Sequence, residues 1–137
     1  MSEAGIIGIQ VVLAYLPVMH EASLVASLLD ILRAEIARRG VRSLSLVRLR
    51  CGVLVNVSPQ ALDMAFTAMS RDTEFAATRL QLITEPLRLA CGGCSAEFTA
   101  EDFPAALLSP CPECGEEIGH KVLAGRELYI EHIETAD

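Results

Sequence analysis

The chain opens on an almost unbroken apolar run. Residues 6 to 18 read Ile-Ile-Gly-Ile-Gln-Val-Val-Leu-Ala-Tyr-Leu-Pro-Val, with a single amide side chain, Gln10, among them. The run is shorter than the roughly 20 residues a bilayer-spanning helix needs. A secretory signal would begin with basic residues and end at a small-residue cleavage site, whereas this run follows Ser2-Glu3-Ala4 and closes on Tyr15-Leu16-Pro17. Neither a membrane span nor export is expected, and the chain reads as cytoplasmic.

From residue 21 the period becomes helical. Val25, Leu28, Leu29, Leu32 and Ile36 fall on one stripe, with Arg33, Glu35, Arg38 and Arg39 off it. Arg38 and Arg39 place cations at the negative end of the helix dipole, and Gly40 is free to take positive φ, so the pattern predicts a helix over 21–39. Between Val41 and Val57 the pattern turns to β. Val47 and Leu49 alternate with Arg48 and Arg50, while Leu44 and Leu46 hold the opposite parity, which predicts a strand covered on both faces or bulged near Leu46.

Ser58-Pro59 is a helix start: the hydroxyl can accept a free backbone N–H, and proline at the first helical position loses no hydrogen bond. Leu62, Ala65, Phe66 and Met69 follow at helical spacing, predicting a second helix that ends near Arg71. Residues 79–90 read as extended with a break at Pro86, and Leu128, Ile130 and Ile133 mark a returning strand. The fold class expected is α+β: two helices packed on one face of a small mixed β-sheet, with an inserted loop in which Cys91, Cys94, Cys111 and Cys114 have the spacing of a zinc ribbon. Residues 1–18 form an apolar N-terminal extension, 19–88 and 122–137 together form the α/β domain, and 89–121 form the insert.

Composition narrows the function classes. With 137 residues, 52% of them hydrophobic, the chain has a core and room for one domain with a small appendage. Eighteen acidic against eleven basic residues leave a net charge of -7, which repels phosphate backbones. Residues 95 to 117 carry Glu97, Glu101, Asp102, Glu113, Glu116 and Glu117 and no Lys or Arg, so the insert is not built for nucleic acid.

Cys91 and Cys94 form one C-x2-C pair and Cys111 and Cys114 another, separated by sixteen residues. In a reducing compartment this spacing fits a tetrathiolate zinc site, each pair sitting on a tight turn that aims both sulfurs at one ion. Gly92 and Gly93 in the first turn and Gly115 after the second suit such knuckles. A closed four-thiolate shell leaves no position for activated water, so the zinc would be structural. Two alternatives stand beside it: coincidental pairs of buried cysteines, and an iron centre of the rubredoxin kind, against which the 4% aromatic content argues. Cys51, alone before Gly52, reads as a core residue. His120 and His132 read as surface or packing residues.

Met19-His20-Glu21 sits where the apolar run gives way to the first helix. This triplet, the late four-cysteine loop and the closing Gly125-Arg126-Glu127-Leu128-Tyr129-Ile130 together make the chain resemble the HypA/HybF family of hydrogenase maturation nickel metallochaperones, over about Met19 to Glu134. The resemblance implies that His20 is the principal nickel ligand with Glu21 and Met19 beside it, and that Cys91, Cys94, Cys111 and Cys114 hold zinc. It implies transient Ni(II), a partner GTPase, and as client the large subunit of a nickel-iron hydrogenase or, in some organisms, urease. A homodimer is compatible with it, and no enzyme activity is expected, since no nucleophile with a base and no phosphate loop can be assembled. The rival reading is a zinc-ribbon interaction or regulatory module that does not handle nickel.

Family members begin at the methionine of the triplet, whereas eighteen residues precede Met19 here. Read from Met1, the Met19 nitrogen is an amide and the family's amine ligand is lost. Either Met19 is the true start and the leader an artefact, or the leader is genuine and adds a strand or covers a hydrophobic groove. Arg50 and Ser58 are further departures, at positions where relatives often carry acidic residues.

Overall fold

A computed structural model describes residues 5–14, 21–55, 57–100 and 109–136. The elements run β1 (Ile6–Ala14), α1 (Glu21–Arg39), β2 (Leu44–Gly52), a 3-10 turn (Val53–Val55), α2 (Pro59–Ser70), β3 (Arg79–Glu85), β4 (Leu87–Ala90), β5 (Glu97–Ala100), β6 (Lys121–Ala124) and β7 (Leu128–Thr135). Both helices occupy the expected spans. At the end of α1 the Gly40 and Val41 N–H groups bond the Ala37 and Ile36 carbonyls, a Schellman arrangement that satisfies two carbonyls the helix itself leaves free. At the start of α2 the Ser58 hydroxyl accepts the Ala61 N–H at 3.2 Å.

Two sheets divide the strands. The larger is mixed, in the order β1-β7-β2-β3, with β2 and β3 parallel and the other pairs antiparallel. Parallel neighbours need a crossover, and α2 supplies it. The stripe of α1 and Leu62 and Phe66 of α2 pack with Val47, Leu49, Ile130 and Ile133 into one core on a single face of this sheet. Each fully buried leucine or isoleucine there stabilises the fold by about 1.5–3 kcal/mol relative to exposure. The outer face carries Arg48, Arg50, Gln81, Tyr129 and Glu131, with Arg50 paired to Glu131 and Arg48 bonded to Gln81 at 3.0 Å.

The parity slip in β2 is a bulge. Leu44 pairs with Thr135 and Leu46 with Glu134, so Ser45 is an extra residue that lets both Leu44 and Val47 face the core. In β7 the opposite happens: Arg48 and Leu49 face His132 and Ile130, leaving Glu131 extra, which is why Ile130 and Ile133 share one face despite their spacing.

The apolar leader is not an appendage in the structure. Residues 6–14 pair along β7 as the edge strand of the main sheet, and Ile9 is buried in the core with Ile7, Val11 and Leu13 packed beside it. The second sheet, in the order β5-β4-β6, carries the cysteine loop. The change of sheet falls at Pro86 and Gly125, so Leu87–Ala90 and Lys121–Ala124 belong whole to the smaller module rather than being split near residues 88 and 122. Leu54 of the 3-10 turn joins the two. It packs with Leu87, Leu89 and Ala100 in the small core, while its neighbour Val55 lies in the large one.

Candidate metal centre

The four cysteine sulfurs converge. All ligand atoms of Cys91, Cys94, Cys111 and Cys114 lie within 4.8 Å of one another, with Cys91 and Cys114 3.4 Å apart and Cys94 and Cys111 3.6 Å apart. A tetrahedral ion with Zn–S bonds of about 2.3 Å would space its sulfurs roughly 3.8 Å apart, a spacing close to that of the two nearest sulfur pairs, so the donor set suits zinc.

The two knuckles are built alike. The Cys91 N–H donates to the Ala96 carbonyl and the Ser95 N–H to the Cys91 carbonyl; in the second knuckle Cys111 donates to Glu116 and Gly115 to Cys111. The residue after the second cysteine of each pair turns left-handed, Ser95 at φ 66° and Gly115 at φ 80°. Gly115 is where the sequence places it, but in the first knuckle that conformation falls to Ser95. Gly92 is required for closeness instead: a Cβ there would lie 2.3 Å from the Gly119 carbonyl oxygen.

Backbone N–H groups aim at the sulfurs. Cys91 Sγ accepts from Gly93 at 3.2 Å and Cys94 at 3.4 Å, and Cys111 Sγ accepts from Glu113 at 3.4 Å. The Cys94 and Gly93 donors, with the neighbouring thiols, pull the Cys91 thiol down to about 6. Cys94 moves the other way, up to about 12: the Ala96 N–H lowers it, but the Cys111 thiol, burial and the remaining thiols outweigh that bond. Four sulfurs this close cannot all ionise beside one another, and a divalent cation removes the conflict.

His120 ties the knuckles together, a role the sequence does not mark beyond its position past Cys114. Its Nδ1 accepts the Gly92 N–H at 3.2 Å, so the proton sits on Nε2, which donates to the Ser109 carbonyl at 3.1 Å. Phe98 packs edge-on against the ring, 5.0 Å between centroids. Cys51 is buried, its thiol pushed up by desolvation, and faces the main core as expected. His132 lies on β7 with Nε2 3.2 Å from the Glu134 carboxylate.

Glu21 begins α1 as its first residue, whereas Met19 and His20 lie outside the described residues. Among the described residues the four cysteines are the one cluster able to hold a metal ion, and no helix is long and apolar enough to cross a membrane.

The family model described as hydrogenase/urease nickel incorporation metallochaperone HypA matches residues 19–135. The chain is 47% identical over 116 residues to the hydrogenase maturation factor HypA of Solidesulfovibrio magneticus, covering 85% of this chain and 98% of that protein. It is 37% identical over 117 residues to the factor of the same name from Lawsonia intracellularis, covering 85% and 99%. In fold it resembles the solution structure of the nickel metallochaperone HypA from Helicobacter pylori, with a TM-score of 0.60 at 19% identity over 85% of this chain and 97% of that one. Fold, four-cysteine centre and these likenesses agree, and the chain belongs to the HypA family of hydrogenase maturation nickel metallochaperones.

Proposed function

We propose that this protein carries Ni(II) as cargo to the large subunit of a nickel-iron hydrogenase, working with a partner GTPase in the cytoplasm, while zinc stays in the four-thiolate cage. The observation that supports the reading is the family match, which begins at Met19, the first residue of the Met19-His20-Glu21 triplet, whose Glu21 opens α1. His20 is the principal ligand, since imidazole nitrogen suits Ni(II), and the Glu21 carboxylate and the Met19 backbone nitrogen complete the set. In the full chain that nitrogen is an amide, which binds nickel only once deprotonated.

The two metals have different tasks. Zinc, held by four sulfurs, joins the knuckles and leaves no open position for chemistry. Nickel sits on a short segment with few donors, which suits release to a client. The protein passes an ion on without making or breaking covalent bonds and is not an enzyme. Because imidazole must lose its proton to bind, nickel affinity falls as the pH drops through the histidine range near 6.5.

Calorimetry on the zinc-loaded full chain tests this reading. One Ni(II) should bind, more weakly than zinc, and His20→Ala should abolish the binding without displacing zinc. Nickel binding unchanged in that variant would remove His20 from the site.

A further inference from the structure

A cleft of about 320 Å³ opens where the main sheet meets the small module. Its walls come from distant parts of the chain: Val12 of β1, Glu85 at the end of β3, Leu123 of β6, and Glu127 and Tyr129 around the start of β7. Ile9 faces the core and Val11 packs against it, so Gln10 and Val12 present the other face of β1, and it is these two that line the cleft. Both precede residue 19, where the family match begins, so this wall is a feature of this chain rather than of the matched region.

β6 lies beside the cleft as an end strand, pairing with β4 alone among the described residues. Its other edge therefore offers backbone N–H and C=O groups to an added strand. Val122 packs against the small core, while Leu123 faces the cleft and is 41% exposed. An extended segment laid along β6 would, by the two-residue period of a strand, send alternate side chains onto the face that carries Leu123.

The lining of that cleft is both apolar and anionic. Val12, Leu123 and Ala124 offer a hydrocarbon surface, and the Glu85 and Glu127 carboxylates line the same space, Glu85 already accepting the Tyr129 hydroxyl at 3.1 Å. Arg126 also lines it, leaving an excess of one negative charge, in a chain whose net charge is -7. Neither Glu127 nor Arg126 has an ion-pair partner among the described residues. A side chain with an apolar stem and a cationic end matches this combination.

We propose that the cleft docks an extended segment of a partner protein bearing an arginine or lysine, which adds to the β6 edge and seats its basic side chain against Glu85 and Glu127. The proposal is independent of the nickel reading. Arg126 opposes the cation and so weakens the site without abolishing it.

The test is a titration of the zinc-loaded full chain with the capped peptide acetyl-Val-Arg-Val-amide and, separately, acetyl-Val-Glu-Val-amide, followed by amide shifts. The chain has two tyrosines and no tryptophan, so in a Tyr15→Phe background tyrosine fluorescence reports Tyr129 alone. The arginine peptide should give saturable shifts at Val12 and residues 121–127, with no such shifts from the glutamate peptide. Glu127→Gln and Glu85→Gln should each weaken it about two- to fivefold, the size of one half-exposed ion pair, and Arg126→Gln should tighten it by a similar factor. Absence of saturable binding, equal binding of the two peptides, shifts mapping elsewhere, or unchanged affinity in Glu127→Gln would overturn the proposal. Glu127 is part-exposed, so that variant folds even if loss of the Tyr129 bond disturbs Glu85→Gln.

Discussion

Gly52 and Gly125 pass so close that a Cβ on Gly52 would stand 2.3 Å from the Gly125 carbonyl oxygen. The same carbonyl accepts the Leu54 N–H at 2.9 Å, and the Gly52 N–H bonds Glu127 at 2.9 Å. This contact brings the end of β2 against the segment that returns from the small module, and it puts Leu54 into that module's core.

Gly52→Ala should therefore force backbone apart at the junction. Overpacking of this kind costs about 1–3 kcal/mol, which for a chain of this size lowers Tm by roughly 3–10 °C. Gly8→Ala, where an added Cβ meets nothing within 4 Å, should leave Tm nearly unchanged. Thermal unfolding followed by circular dichroism compares the two, and equal effects would contradict the close approach.

Strand β1 contributes to stability through Ile9. Ile9→Ala should destabilise the protein by about 2–4 kcal/mol, whereas Ile6→Ala, at a side chain 71% exposed, should stay within about 0.5 kcal/mol. Denaturant titration measures both. A chain shortened to begin at Met19 loses Ile9 and uncovers the edge of β7, so it should be less stable than the full chain whatever its affinity for nickel.

Cys114→Ser should lose most of its zinc by elemental mass spectrometry, and the amide signals of residues 91–100 and 109–120 should collapse toward unfolded positions. Metal binding supplies roughly 10 kcal/mol or more of folding free energy in isolated zinc peptides. Cys51→Ala should keep its zinc, since Cys51 lies in the main core away from the knuckles. Full zinc in Cys114→Ser would contradict the four-sulfur site.

Glu131 links stability to acid. The Arg50 guanidinium that bonds it, aided by Arg48 and His132, holds its carboxyl below the usual carboxylate range. The stabilisation this gives is complete above the unfolded value near 4.3 and is lost as the pH falls through the lowered folded value. Glu131→Gln should be less stable than the parent at pH 7, and the gap in Tm should narrow on acidification below about pH 4. A gap that stays constant down to pH 2 would mean that the Arg50 pair contributes nothing.

Much of the fold was legible because its signals are local. The Arg38-Arg39-Gly40 end of α1, the Ser58-Pro59 start of α2 and the bulge beside Leu46 each follow from hydrogen bonds or parity within a few residues. The four cysteines were legible because each C-x2-C turn is short and self-contained. The Met19-His20-Glu21 triplet was legible only as a resemblance, and its geometry lies outside the described residues, Glu21 apart.

The remainder depends on segments that are neighbours in space and not along the chain. An apolar run such as residues 6–14 states that it must be buried, but nothing in it names β7 as its partner, because backbone groups pair alike with any strand edge. Likewise a leucine at position 54 or a histidine at 120 is ordinary in sequence. Leu54 became the link between two cores and His120 the tie between two knuckles only when Gly52 met Gly125 and Gly92 met Gly119. The sequence by itself determined the helices, the four-cysteine cluster and the need for burial, since periodicity and short-range hydrogen bonding encode them. Only the tertiary structure decided which surfaces cover one another, because that choice is made by close packing over the whole molecule.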